Sequence, residues 1–239
     1  MKKMGCLVSL LLVIALCAGL FFSGIVTTDH LMRWSESALV WSIDGLNGLL
    51  DKVQAYNQAV TEGKASILLV NASNPLPAEY KAENLVCLYE QKRSFLLAKS
   101  DLYLTEEAFE AANAMFAAAE KEGLNGFIVT SAYRSREDQE RIYAESAAGY
   151  AQKPGCSEHE TGLAFDVTAR YDSGDFGDTE QCKWLLAHCH EYGFIQRYPE
   201  GKEHITGIAY EPWHYRYVGV ENAKRIRRSG LTLEEYLAQ

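Results

Sequence analysis

A single carboxylate interrupts an otherwise apolar segment between residues 162 and 168 of this 239-residue chain. Leu163, Phe165 and Val167 alternate along the segment, which predicts a strand with these three side chains in the core. Asp166 then lies on the opposite face of the strand. Because burial of an unpaired carboxylate is costly, Asp166 requires a cationic or hydrogen-bonding partner. This requirement places a polar site beside the core and constrains the fold more than any other feature of the sequence.

A histidine precedes this predicted strand and is a candidate partner for its carboxylate. Gly162 and Ala164 leave the face of Asp166 uncrowded, so His159 can fold over it. A metal ion held by His159 and Asp166 would satisfy both side chains at once. The alternative is a hydrogen-bonded core residue, which is the commoner role of an isolated histidine or aspartate.

A second histidine and a further acidic residue occur in residues 211–215, which read Glu-Pro-Trp-His-Tyr. In a predicted strand over residues 213–218, His214 faces away from the two aromatic rings beside it. Glu211 precedes a proline, outside the predicted strand, and can turn into the same pocket. Two histidines, one aspartate and one spare glutamate match a catalytic zinc site, which needs three protein ligands, an open position and a separate base.

The remaining pattern predicts an α+β fold, because helical patterns dominate the first part of the chain and strand patterns the second. Thr105 can cap a helix over residues 105–122, another helix begins near Ser135, and Thr232 with Glu235 suits a capping box. We expect a small central antiparallel sheet flanked by helices, with a single zinc site on the sheet face. The predicted strands are residues 67–70, 127–130, 162–168, 194–198, 207–210 and 213–218, and a further predicted helix covers residues 178–192.

The N-terminal part of the sequence is apolar. Lys2 and Lys3 precede residues 7–26, which contain no charged residue. That length is sufficient to span a hydrocarbon core of about 30 Å as a helix, and the lysines place its first residues in the cytoplasm. The long apolar stretch and the lack of an Ala-x-Ala site favour a single-pass membrane anchor over residues 1–29, with a cleaved signal peptide as the alternative.

The rest of the chain divides into two predicted parts. Residues 30–66 are predicted to form a helical stalk, because apolar residues from Leu39 to Val53 recur at steps of three and four. Residues 67–239 carry the candidate zinc site, and both interpretations of the N-terminus place them outside the cell membrane. The net charge of −9 argues against a nucleic-acid partner, because phosphate binding needs clustered Lys and Arg.

Three blocks in the second half of the chain carry a family resemblance. They are Ser131-Ala132-Tyr133-Arg134-Ser135 with Gln139, then Ser157-Glu158-His159 through Gly162 to Asp166, and then Glu211-Pro212-Trp213-His214-Tyr215-Arg216. In this order the blocks resemble the zinc D-alanyl-D-alanine carboxypeptidases of the VanY type. Residues 69–80 are also similar to the start of that family's domain, so the resemblance covers about residues 67–230 and leaves out the predicted anchor and stalk.

The resemblance implies a role for each residue of the candidate site. His159, Asp166 and His214 would bind one Zn²⁺ per chain, and Glu211 would be the base that activates water. Arg134 would face the substrate and stabilise negative charge at the scissile carbonyl or at the terminal carboxylate. Around them, Tyr133, Gln139 and Ser157 would line the pocket for the terminal D-alanine, with Tyr198 close to it.

The resemblance also implies a substrate, which is a peptidoglycan stem peptide ending in D-alanine. The enzyme would be a zinc metallocarboxypeptidase rather than a serine-type one, and trimming would remove the D-Ala-D-Ala target of vancomycin-type antibiotics. An L,D-carboxypeptidase acting on tetrapeptide stems is the alternative. A D-Ala-D-Ala dipeptidase is disfavoured, because free dipeptide is cytoplasmic and the predicted anchor places the site outside. A non-catalytic cell-wall-binding module would not need Glu211.

Overall fold

The computed structural model describes residues 67–146, 151–170 and 174–239. The predicted anchor, residues 1–29, and the predicted stalk, residues 30–66, lie outside the described residues. Among the helices of the described part of the chain, none combines the length and the apolar character needed to cross a membrane.

Helices and strands combine into an α+β fold, so the predicted class is confirmed. The strands are β1 (Leu85–Cys87), β2 (Leu96–Leu97), β3 (Tyr103–Thr105), β4 (Phe127–Ser131), β5 (Ala164–Ala169), β6 (Phe194–Tyr198) and β7 (Glu211–Tyr217). The α-helices are α1 (Glu106–Lys121), α2 (Arg136–Glu145), α3 (Glu180–His188), α4 (Glu203–Thr206), α5 (Val220–Ser229) and α6 (Leu233–Leu237). Short 3-10 helices cover Leu88–Glu90, Glu158–Thr161, Phe176–Asp178 and Cys189–Tyr192.

The main sheet has the strand order β2-β4-β5-β7-β6. Strands β4, β5, β7 and β6 pair antiparallel, but β2 pairs with β4 in parallel. The prediction of an antiparallel sheet is therefore wrong at this edge, because a strand of two residues is too short to show an alternation. Strands β1 and β3 form a separate antiparallel pair.

Side-chain caps fix the starts of several helices, as predicted. Thr105 precedes α1 and Ser135 precedes α2, and each side chain accepts a hydrogen bond from the backbone N–H three residues on. Thr232 and Glu235 form the predicted capping box at the start of α6. Each of these caps satisfies backbone donors that the first turn of a helix leaves free.

Three predicted elements differ in the structure. Residues 67–70 form no strand, and the side chains of Ile67 and Leu69 pack instead against an apolar cluster contributed mainly by α5 and α6. Residues 207–210 form no strand, because Gly207, at a φ of 72°, ends α4 there. The predicted helix over residues 178–192 is α3 with a 3-10 turn on either side, and it ends at the left-handed Gly193.

An aromatic core lies between α1 and one face of the main sheet. The ring of Phe116 lies 4.9 Å from that of Phe127 and 5.8 Å from that of Phe165, measured between centroids. Phe165 also contacts Tyr215 on the neighbouring strand β7 and Phe194 on β6, the strand beyond it. Burial of each such side chain stabilises the fold by roughly 1.5–3 kcal/mol. Because side chains alternate along β5, this packing directs its carboxylate to the other face.

Candidate active site

Strand register brings the predicted ligands together on the face of the sheet opposite the aromatic core. Asp166 on β5 lies directly across from His214 on β7. His159 belongs to the 3-10 helix Glu158–Thr161, which ends at the left-handed Gly162, two residues before β5 begins. This short turn folds His159 back over the carboxylate, as the sequence predicts.

The three side chains form a tight cluster. The Oδ1 atom of Asp166 lies 2.9 Å from Nδ1 of His214, and its Oδ2 atom lies 3.2 Å from Nε2 of His159. One nitrogen from each ring and one carboxylate oxygen all lie within 4.8 Å of one another. Two imidazole nitrogens and one carboxylate oxygen are a ligand set that zinc prefers, and three protein ligands leave a coordination position open.

The outer nitrogen of each imidazole faces a fixed acceptor. Nδ1 of His159 lies 2.8 Å from the carbonyl oxygen of Ala132, and Nε2 of His214 lies 3.4 Å from a carboxylate oxygen of Glu158. Because a carbonyl or carboxylate oxygen only accepts, these partners assign the hydrogen to the outer nitrogens. The inner nitrogens, Nε2 of His159 and Nδ1 of His214, are then available to a metal, which is the usual arrangement for metal-bound histidines.

The electrostatics of the cluster favour a bound cation. Burial raises the pKa of Asp166, but the two histidines outweigh this effect and hold the pKa well below its usual range. Burial lowers the pKa of His214, yet its hydrogen bonds to Asp166 and Glu158 raise the pKa to about 9. For His159, burial dominates and lowers the pKa. Without a metal, the cluster therefore holds an ionised Asp166 carboxylate whose negative charge is balanced by the imidazole of His214. A divalent metal ion would take over this balancing role by displacing the proton from Nδ1 of His214.

Glu211 lies at the edge of this cluster, with its Oε2 atom 3.9 Å from Nδ1 of His214. It is the first residue of β7, so the prediction that it lies outside the strand is wrong. Gln196 pairs with Tyr215 and Tyr198 pairs with Glu211, so β7 spans four positions where β6 spans two. This irregularity explains why Glu211 and His214, three residues apart, face the same cleft although strict alternation would separate them.

The environment of Glu211 suits a proton acceptor. Burial raises its pKa above the ordinary value, the Asp166 carboxylate adds to the rise, and His214 and Arg134 oppose it. A carboxylate with a raised pKa holds a transferred proton more readily, which is what general-base chemistry near neutral pH requires.

Arg134, which follows β4, presents its guanidinium to the same cleft. Its Nε and Nη2 atoms donate to the hydroxyl oxygen of Ser131 at 3.1 and 2.7 Å, and Nη1 lies 3.5 Å from Oε1 of Gln139. Nη2 is also 3.5 Å from Asp166. The side chain is thus held in place with a positive charge next to the candidate metal ligands.

The other predicted substrate residues divide into two groups. Gln139, Ser157 and Tyr198 line a cleft of about 280 Å³ together with the proposed ligands, Glu211 and Arg134. Gln139 is fully buried, and its side-chain amide donates a hydrogen bond to the carbonyl of Gln152. Gln139 therefore supports the cleft wall and also holds Arg134 in place. Tyr133 is not among the residues that line this cleft.

Both carboxylates that flank His159 are engaged by other groups of the protein. Glu158 accepts hydrogen bonds from Arg197 and Arg216 in the protein interior. Glu160 pairs with Arg136 at 2.6 Å and accepts from the backbone N–H of Gly155. Neither carboxylate is placed to activate water, which leaves Glu211 as the candidate base.

Sequence reasoning did not identify several residues around the cleft. Trp213, 38% exposed, lines the cleft beside His214. Arg197 and Arg216 lie in strands β6 and β7, each beside an aromatic residue, and both are buried. The signal for these two was present in the sequence, because a buried arginine in a strand requires a buried anion, just as Asp166 requires a cation.

Fold and cleft together define a class of protein, α+β proteins with one candidate metal site on the sheet face. A family model described as VanY, D-alanyl-D-alanine carboxypeptidase, matches residues 101–220, about half of the chain. The chain belongs to this VanY family, and the predicted family is confirmed.

The chain spans only part of the length of its curated relatives. A D-alanyl-D-alanine carboxypeptidase of Enterococcus faecalis (strain ATCC 700802 / V583) is 39% identical over 193 residues, which cover 74% of this chain and 67% of the relative. Across three of the curated relatives, the chain covers between 58% and 67% of their length.

Two solved structures share the fold. LdcB, described as an LD-carboxypeptidase, aligns with a TM-score of 0.64 and 39% identity, covering 71% of this chain and 84% of LdcB. A mutant of the vancomycin-resistance D,D-pentapeptidase VanY, solved with Zn(II), aligns with a TM-score of 0.60 and 36% identity, covering 71% of this chain and 97% of that one. The Zn(II) complex and the three-residue cluster confirm the predicted zinc cofactor.

Proposed function

We propose that this protein is a zinc-dependent D,D-carboxypeptidase that removes the terminal D-alanine from peptidoglycan stem peptides. The observation that carries the proposal is the convergence of His159, Asp166 and His214 on one point, with Glu211 and Arg134 facing the same cleft. Family membership and the D,D-carboxypeptidases among the relatives support it.

In this proposal each polar residue of the cleft has a distinct task. His159, Asp166 and His214 hold Zn²⁺, which when bound polarises the scissile carbonyl and lowers the pKa of water by several units. Glu211 accepts the proton of the attacking water and passes it to the leaving amine. Arg134 stabilises negative charge at the carbonyl or at the terminal carboxylate, with donors that Ser131 and Gln139 already orient.

The walls of the cleft suit a small terminal residue. We assign Gln139, Ser157 and Tyr198 to the pocket for the terminal D-alanine, with Tyr133 further out. A cleft of about 280 Å³ lies at the lower end of the range for small-molecule sites, roughly 300–1,000 Å³. Such a small cleft suits a terminal group of alanine size, and the exposed Trp213 offers an apolar surface to the preceding part of the stem.

The predicted membrane anchor is consistent with this substrate. Residues 1–29 would hold the protein in the cell membrane and residues 30–66 would link the anchor to the catalytic domain, residues 67–239. Peptidoglycan stems are exposed on the outer side of that membrane, where the domain would then act. Trimming them would remove the target of vancomycin-type antibiotics.

The test is an incubation of the purified, zinc-loaded full-length chain, in detergent, with pentapeptide and tetrapeptide stems, followed by mass spectrometry. Loss of one alanine from the pentapeptide is the expected result. The similarity to LdcB favours a second candidate, an L,D-carboxypeptidase, which would cleave the tetrapeptide instead. A zinc-loaded chain that binds stems and cleaves neither would be a cell-wall-binding module.

A further inference from the structure

A buried cluster of charged residues lies next to His214, and its central carboxylate, Glu158, forms part of the cleft wall. Glu158, Arg197 and Arg216 are each 1% exposed. The Oε1 atom of Glu158 accepts hydrogen bonds from Nε of Arg197 at 2.7 Å and from Nη1 of Arg216 at 3.0 Å. Its Oε2 atom is directed elsewhere and lies 3.4 Å from Nε2 of His214.

The charges of this cluster are balanced and its donors are largely satisfied. Arg197 also forms a two-point contact with Glu234 of α6, at 2.8 and 2.5 Å. Arg216 donates to the backbone carbonyl of Leu68 at 2.8 Å. Two carboxylates thus oppose two guanidinium groups, which is the condition under which buried charges are tolerated. The carboxylate of Glu158 is therefore fixed in position and stays ionised.

The two histidines of the site differ in what holds them. The outer nitrogen of His159 faces a neutral backbone carbonyl, whereas that of His214 faces the charged Glu158. A carboxylate behind an imidazole fixes the ring and makes its inner nitrogen a stronger ligand. The separation of 3.4 Å is longer than is usual for such a hydrogen bond, and Glu158 is the acceptor that Nε2 of His214 faces.

We propose that Glu158 is a positioning residue for the metal site. Its Oε2 atom accepts the Nε2–H of His214, and this contact turns Nδ1 toward Asp166 and the zinc. The inference rests on the proposed function, since it takes His214 to be a zinc ligand. Glu158 itself touches neither substrate nor metal.

Zinc affinity distinguishes this role from a purely structural one. The dissociation constant for zinc of the full-length chain and of its Glu158→Gln variant is measured by competition with a chromophoric chelator. Glutamine keeps the shape of the side chain but removes its charge, so we expect zinc to bind about 10–100-fold more weakly. Met115→Ala is the control, because Met115 is buried in the core on α1 and does not line the cleft. The cavity that it leaves should lower the melting temperature without changing zinc affinity.

The outcomes separate this inference from the proposed function. If Glu158→Gln and wild type bind zinc equally well, Glu158 does not position His214, although the proposed function stands. If Met115→Ala loses as much zinc affinity as Glu158→Gln, the effect is one of general stability and the inference fails. A wild-type chain that binds no zinc at all would reject both.

A second measurement needs only the wild-type chain and so does not depend on how a variant folds. In the zinc-loaded protein labelled with ¹⁵N-histidine, long-range ¹H–¹⁵N spectra report which ring nitrogen keeps its proton. We expect Nε2 of His214 to carry a proton that exchanges slowly with water, and Nδ1 to carry none. A proton on Nδ1, or none on Nε2, would overturn the assignment of Glu158 as its acceptor.

Discussion

Three carboxylates lie around the proposed metal site, and their surroundings separate their roles. Each carboxylate oxygen of Asp166 lies next to a histidine ring nitrogen. Glu158 accepts hydrogen bonds from two arginines, whereas Glu211 lies 3.9 Å from the ring of His214. The first two therefore have depressed pKa values, whereas burial raises the pKa of Glu211. A ligand and an orienting group must stay ionised, while a base must take up a proton, so the three environments match three different tasks.

The role of Glu211 gives the sharpest prediction at the scale of one residue. Glu211→Gln should keep zinc but lower the turnover number on pentapeptide stems by about 10²–10⁴-fold, because the amide cannot accept the proton of water. Metal content by mass spectrometry and steady-state kinetics provide the two measurements. His214→Ala is the contrasting variant and should lose zinc and activity together. Turnover close to wild type in zinc-loaded Glu211→Gln would place the base elsewhere.

Arg134 supports a second prediction at this scale. Arg134→Lys keeps the charge but loses the paired donors that Ser131 orients, so kcat/KM should fall about 10–100-fold while zinc stays bound. Arg141→Lys is the matched control, because Arg141 is exposed on α2 and its ion pair is with Asp138 of the same helix. An Arg134→Lys enzyme with the kinetics of the control would exclude a contact between Arg134 and the reacting groups.

At the scale of elements, α6 is tied to the sheet through Glu234. Its carboxylate accepts from Arg197 on β6 and from the side-chain amide of Asn71. Burial raises the pKa of Glu234, but the contacts with Arg197 outweigh this and lower it overall. A carboxyl whose pKa is lower in the folded state stabilises the fold above its unfolded pKa, and this stabilisation is lost as the pH falls through the folded value.

Glu234→Gln should therefore lower the free energy of unfolding at pH 7 by about 1–2 kcal/mol, since Glu234 is partly exposed and its ion pair is screened. The difference from wild type should shrink as the pH falls below the ordinary glutamate pKa of 4.5. Denaturant unfolding at several pH values measures both effects. Glu180→Gln, which removes an exposed pair with Lys183, should leave stability unchanged. A difference that stays constant down to acid pH would contradict the linkage.

Sequence patterns predicted some features of these elements and missed others, for physical reasons. The caps at Thr105 and Ser135 and the alternation in β5 are local, so the sequence alone revealed them. The position of Glu211 was not predictable in this way, because it depends on how β7 pairs with β6 across an irregularity. The partner of Arg197 likewise depends on a contact with Glu234, 37 residues away, which no local pattern encodes.

At the scale of the whole described region, its two ends meet behind the metal site. Leu68, near the first described residue, accepts a hydrogen bond from Arg216, and Glu234, near the last, pairs with Arg197. Both arginines hold Glu158, which in turn faces His214. The beginning and the end of this region therefore support the same candidate ligand, His214.

The predicted anchor gives a prediction for the whole chain. Residues 7–26 are uncharged and rich in Leu, Ile, Val and Phe, and each such residue near the centre of a bilayer favours insertion by about 0.3–0.6 kcal/mol. Salt and alkaline washes weaken electrostatic contacts, and they do not reverse the insertion free energy of these apolar side chains summed over the segment. The full-length protein should thus stay in the membrane fraction after both washes, and a chain that lacks residues 1–29 should be released. Recovery of a processed form that begins beyond Val26 would show instead that the segment is a cleaved signal peptide.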